Sequence, residues 1–356
     1  MRSRFDFLST AGAVFCALGL FANTSSTYDI PLPGPAPRAQ LEPIAGIGLP
    51  KDQRCGDCHA EIAAEWKRSL HHSAWENEYF AHAYSLEPLA FCRGCHAPQA
   101  DPRTEPSEDA KHVGVGCTSC HVVPNGIVGT HAIAARENGH EVLADARMST
   151  TAACARCHDF AFPSSRRPEI DRMQKTVSEH ASSAHADKPC QDCHMPLVPS
   201  LQGPPHRQHD FRVFGDRDFM ARAVIVNRAE IKGDAVHLDL ALGTIGHAFP
   251  TGDLYRRVDV RVTAIDSKGN KFGAPSSRIL RRTFGPAFEG PNKSVPIERE
   301  DDRLTGPKRV ILPLPKGTKR ARYEIVWQRL PPEMAKKFGM KMSLHEMVVG
   351  EGIVTL

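Results

Sequence analysis

Several signatures that would assign an activity at once are missing from this 356-residue sequence. It has no phosphate-binding loop, no dinucleotide fingerprint and no setting for a hydrolytic triad, which sets aside the commonest nucleotide-dependent and hydrolytic chemistries. Strong charge of one sign is absent too, with 45 Lys and Arg against 41 Asp and Glu. The basic residues are spread out rather than gathered in aromatic-interleaved patches, which argues against a nucleic-acid partner. Residues 54–210 are poor in Leu, Ile and Val. A stretch of roughly 155 residues so composed cannot build an ordinary apolar core from its own side chains. Spare cysteine is also lacking. Ten of the eleven cysteines fall into one repeated pattern and the eleventh, Cys16, lies in an N-terminal apolar run, so no thiol remains for a disulfide or a nucleophile.

The repeated pattern is Cys-x-x-Cys-His. It occurs at Cys55-Gly-Asp-Cys58-His59, Cys92-Arg-Gly-Cys95-His96, Cys117-Thr-Ser-Cys120-His121, Cys154-Ala-Arg-Cys157-His158 and Cys190-Gln-Asp-Cys193-His194. Paired cysteines also serve zinc, iron-sulfur clusters and disulfides, but none of these needs a histidine in the fifth position. Chance would put one there about 5% of the time given 18 His in 356 residues. Five in five is the attachment signature of c-type haem, in which two thiols bond the macrocycle and the adjacent histidine ligates iron. The expectation is five covalent haems held by those ten cysteines, with His59, His96, His121, His158 and His194 proximal.

Met1-Arg2-Ser3-Arg4, an apolar run from Phe5 to Ala22 and the polar Asn23-Thr24-Ser25-Ser26 follow the order of a secretory signal peptide. The alternative is an uncleaved anchor, since the run approaches membrane-spanning length. Export to the periplasm or an extracellular face fits haem attachment outside the cytoplasm. The charge is uneven along the chain. From residue 211 onward 26 Lys and Arg face 17 Asp and Glu, net +9, leaving −5 for residues 1–210. Such a basic half would pack against haem propionates or steer an acidic redox partner.

Four segments follow: a signal peptide over 1–22, a Pro/Gly-rich arm over 23–53, a helical, loop-rich five-haem domain over 54–210, and an antiparallel β-sandwich-like domain over 211–356. Residues Glu61 to Tyr84 space their large apolar side chains as one helix does. A partial duplication is visible in Trp66-x-x-Ser69-x-His71 and His180-x-x-Ser183-x-His185. From Ala221 the texture becomes period-2 alternation cut by Lys232-Gly233-Asp234, Ser267-Lys268-Gly269-Asn270 and Pro315-Lys316-Gly317-Thr318. This predicts seven strands, at 223–231, 236–242, 258–265, 279–284, 310–314, 321–327 and 347–356, with a short helix over 332–338.

The haem motifs, Trp66-x-x-Ser69-x-His71, Gly114-Val115-Gly116-Cys117, Cys193-His194-Met195-Pro196 and Gly246-His247-x-Phe249-Pro250-Thr251-Gly252 together resemble multihaem c-type cytochromes with a tetrahaem-like core and an appended β domain. The resemblance covers most of residues 54–330. It implies closely spaced haems, mostly with histidine on both faces of the iron. Thirteen histidines remain beyond the proximal five. The distal candidates are His71 and His185 from the repeated Ser-x-His element, His131 ten residues after His121, His209 in a His-x-Phe context, and His247. His72, His82 and His112 are substitutes, while His237 and His345 belong to the strands.

Six-coordinate irons have no open site for chemistry, so this pattern implies an electron relay between redox partners. Those partners would be other cytochromes or redox proteins, among them a membrane quinol-oxidising complex. The alternative is a redox enzyme acting on a small nitrogen or sulfur compound at one five-coordinate iron. A third reading makes the β domain an adhesion or binding module, which fold alone does not specify.

Overall fold

The computed structural model describes residues 52–356 apart from 124–125, 136–138, 164, 166, 202 and 289–293. The expected signal peptide, and all of the arm but its last two residues, lie outside the described residues.

The first half is a string of short helices. Each cysteine pair sits on one: Asp52–Cys58, Ala90–His96, Cys117–His121, Ala152–His158 and Cys190–His194. One helical turn puts positions i, i+3 and i+4 on one face, which is what two thiols and a histidine need to address one group. The single helix expected over 61–84 is instead two, Ala60–Lys67 and Glu78–Leu86. Polar side chains between them capture backbone donors and break the ladder. Ser69 Oγ accepts from His72 N at 3.2 Å, and Asn77 Oδ1 caps the second helix by accepting from Phe80 N at 3.4 Å.

Eight strands of the second half form two antiparallel sheets: β1 Val224–Ile231, β2 Ala235–Leu242, β3 Arg257–Ile265, β4 Lys271–Phe288, β5 Ser294–Asp301, β6 Lys308–Pro313, β7 Arg320–Gln328 and β8 Glu346–Thr355. The larger sheet has the order β5-β4-β3-β7-β8 and the smaller β6-β2-β1. In the larger, Val258 pairs with Trp327 and Val260 with Ile325; in the smaller, Leu238 pairs with Val310. Alternate residues therefore turn into one shared core, where Val236, Leu238, Val260 and Ile325 are all sealed from solvent. The expected helix after β7 spans Pro332–Lys337. Strand β5 was not expected. Its sequence, Ser-Val-Pro-Ile-Glu-Arg-Glu-Asp, hides the alternation behind charge and proline, as edge strands do.

Of 34 buried hydrophobic residues among the described residues, 26 lie from Ala223 onward and only eight in the helical half. The β sandwich therefore holds itself together. Truncating Leu238 to alanine should cost about 2–5 kcal/mol, read as a lowered denaturant midpoint. An unchanged midpoint would contradict a core centred there.

The two halves are joined by an ion-pair cluster. Lys175 meets Glu298 and Asp301, each at 3.0 Å, and Arg282 donates to Glu298 and to the carbonyls of Arg172 and Met173. Arg303 reaches Asp301 at 2.7 Å and Glu179 at 2.6 Å. No helix among the described residues is long and apolar enough to cross a membrane.

Candidate haem sites

None of the ten motif cysteines is bridged to another by a disulfide. Thiols of different motifs nevertheless come close enough to interact: Cys95 with Cys157, and Cys154 with Cys190. The second, fourth and fifth motifs are thus neighbours in space despite their separation in sequence.

Three of the motif histidines are oriented from behind. His96 donates through Nδ1 to the Ala74 carbonyl at 2.6 Å, His121 to Val128 at 2.9 Å and His194 to Arg212 at 3.0 Å. A proton fixed on Nδ1 leaves Nε2 unprotonated and outward, the state a metal requires.

Four motif histidines face a second imidazole. The ring centroids are 6.2 Å apart for His59 and His140, 6.2 Å for His158 and His71, 6.1 Å for His121 and His209, and 6.4 Å for His194 and His247. Three of the facing rings are also tied through Nδ1: His140 donates to the Glu141 carbonyl, His209 to Arg207 and His247 to Ala248. Metal–imidazole bonds of about 2 Å on each side, with the ring radii added, separate two axial imidazoles by roughly 6 Å. Hydrogen-bonded or packed rings have no reason to repeat this spacing four times.

The fifth motif histidine is different. No imidazole faces His96 among the described residues; Phe80 lies flat against it, with centroids 3.5 Å apart and planes 6° from parallel. Trp75, Phe80 and Ala97 pack around this place as a small cluster of their own.

The surroundings keep these rings neutral. Burial pushes His71 down to about 3, with His158 the next contributor, and burial likewise lowers His96, His158 and His209 to about 4. A neutral imidazole is the form that coordinates iron. The donor set and the sparse core of the helical half both fit c-type haem, whose macrocycles would supply apolar surface that this segment lacks.

Of the five distal candidates, the structure brings His71, His209 and His247 opposite motif histidines and leaves His131 and His185 away from them. His131 is exposed, and its Nδ1 meets the hydroxyl of Thr130 at 2.8 Å. His185 lies beside Gly246, where an added Cβ would come within 3.3 Å of its own Cβ. Only the first copy of the Ser-x-His repeat is locked onto a Cys-x-x-Cys-His motif. The His71 carbonyl accepts from Val115 N at 2.8 Å, and Trp66 Nε1 donates to the Val115 carbonyl at 2.8 Å. Gly114 makes that approach feasible: it has φ of +62°, and a Cβ there would meet the His71 and His72 carbonyl oxygens at 2.5 and 2.4 Å. His180 stands where Trp66 would be in the second copy. The fourth facing ring is that of His140, which no motif marks. Counting donors alone could have kept it in view.

The segment from His209 to Arg212 touches three sites. His209 faces His121; Phe211 packs edge-on against His71 at 4.1 Å and against His209 at 5.8 Å; the Arg212 carbonyl orients His194. Phe211 has φ of +49°, unusual for a bulky residue.

Residues 54–122 match the family described as cytochrome c554 and c-prime. No curated protein matches the chain. Among solved structures, it resembles a penta-heme cytochrome c552 from Thermochromatium tepidum, with a TM-score of 0.67 and 18% identity over 86% of this chain and 98% of that one. That likeness is one of fold.

Proposed function

We propose that this chain is a multihaem c-type cytochrome working in haem-based electron transfer, an exported five-haem relay between redox partners; the family match over residues 54–122 and the fold shared with a penta-heme cytochrome support the reading. In this reading the ten motif cysteines hold the cofactors and His59, His96, His121, His158 and His194 are proximal. His140, His209, His71 and His247 are the distal partners of His59, His121, His158 and His194. The four repeated ring separations carry the assignment. The bound group supplies reversible one-electron chemistry. What this chain supplies is fixed ligands, apolar shielding and contact between motifs, as at Cys95 with Cys157 and Cys154 with Cys190. Donors and acceptors would be other cytochromes or a membrane quinol-oxidising complex.

A second reading is favoured by one observation, the absence of a facing imidazole at His96 among the described residues. An iron there would keep one position for a small nitrogen or sulfur compound. Mass measurement and spin-state counting on the purified protein address both readings. The expected result is five covalent haems, four low-spin and one high-spin, with one equivalent of carbon monoxide bound on reduction. A count other than five breaks the relay assignment. Five low-spin irons and no carbon monoxide uptake leave the second reading without a site.

A further inference from the structure

We propose that Arg256 and Arg329 form a binding site for a carboxylate or small oxyanion beside His96. The proposal rests on the reading above, in which the iron at His96 has one open face.

The loop that follows His247 runs through Pro250 and Gly252 to Arg256, and only His247 has so far been given a task. Arg256 Nε is shut off from solvent and has no hydrogen-bond partner among the described residues. Its guanidinium stands 5.5 Å over the Trp327 ring. Gly252, with φ of +98°, leaves it room: a Cβ there would come 3.0 Å from Nε. Arg329, just beyond the end of β7, places its guanidinium 5.7 Å over the ring of Tyr79. Neither arginine makes an ion pair among the described residues, whereas Arg303, Arg261 and Arg309 each have a carboxylate within 2.7 Å.

One acid faces both. Asp253 accepts from the Tyr79 hydroxyl at 3.4 Å and acts on both guanidinium groups. Two positive charges against one negative leave a surplus that burial makes costly unless an anion joins it. Arg329 accordingly falls to about 10, through burial first and the neighbouring Arg256 next. Planar guanidinium forks are the donors that recognise carboxylates and oxyanions.

The position matters as much as the charge. Tyr79 precedes Phe80, the ring stacked on His96. Arg329 lies over the Tyr79 ring and Asp253 accepts from the Tyr79 hydroxyl, so both stand beside the residue that leads into Phe80. The occupant is therefore either a propionate carboxylate of a haem held here or a free oxyanion entering at the open face.

Titration of the oxidised holoprotein with nitrite and with phosphate separates these sources. If a free oxyanion binds, either probe gives a saturable change in the high-spin absorption. Arg256→Gln and Arg329→Gln then weaken binding at least tenfold, and Arg329→Lys restores it in part. If a propionate occupies the pair, neither probe has an effect. The same two Gln variants then lower the midpoint potential of the His96 haem relative to the other four, and Arg329→Lys does not. The proposal is overturned if neither probe binding nor that potential responds to the Gln variants. A wild-type protein with no high-spin iron would sink the open-face reading separately, because the potential measurement does not depend on it.

Discussion

Exchanging His140 for alanine should raise carbon monoxide uptake by the reduced protein from one equivalent to two. His140 faces His59 at 6.2 Å, so its loss opens a second iron to exogenous ligand. The scaffold around it survives the change. Ile133 and Val142 exchange backbone hydrogen bonds, Val128–Gly129 pairs in parallel with Leu143–Ala144, and Asp145 N donates to the Gly129 carbonyl. The matched controls are His131→Ala and His185→Ala, for which uptake should stay at one. Uptake that rises with His131→Ala, or stays at one with His140→Ala, would falsify the pairing.

Arg303→Ala should cost about 3–5 kcal/mol in thermal or denaturant stability. Arg303 is only 3% exposed. It bonds Asp301, Glu179 and the Pro250 carbonyl, and its removal strips Glu179 of its cation inside the junction between the halves. Glu179 in turn accepts from Ala248 N and the Thr251 hydroxyl, so the loop carrying His247 loosens with it. A pH dependence follows. Burial pushes the Asp301 carboxyl up, but Arg303 and Lys175 outweigh it and hold the group below its ordinary value. A carboxyl depressed in the folded state stabilises above the unfolded pKa of about 3.9 and loses that contribution as pH falls toward the folded value. The variant should therefore show a shallower decline in stability below about pH 4. Equal acid slopes in the two proteins would remove Asp301 from the account.

The attachment histidines were legible because covalent chemistry dictates a local spacing. His209 and His247 were legible because a distinctive neighbour accompanies each, and His71 because Trp66 and Ser69 precede it. His140 was not, since what aims it at His59 is the pairing of residues 128–129 with 143–144, a contact no local pattern encodes. His185 shares the Ser-x-His pattern with His71 but lacks the Val115 contact that places His71 against a motif histidine. In the β half, six of the seven expected strands were placed to within two residues, but the one expected at 279–284 runs over Lys271–Phe288, and β5, with Pro296 and a run of charges, had no alternation to read. The helix expected over 61–84 failed because Ser69 and Asn77 compete for backbone donors, which hydrophobic spacing does not register.

Phe211 and its neighbours carry a consequence for how this protein tolerates change in length. Within four residues, His209, Phe211 and Arg212 serve the His121, His71 and His194 sites. Inserting or deleting one residue there would misalign all three together. The turn at Ser267–Asn270 joins two strands, and its side-chain hydrogen bonds stay within the turn itself. Natural variants of this chain should therefore differ in length at the strand turns and keep the spacing from 209 to 212 intact.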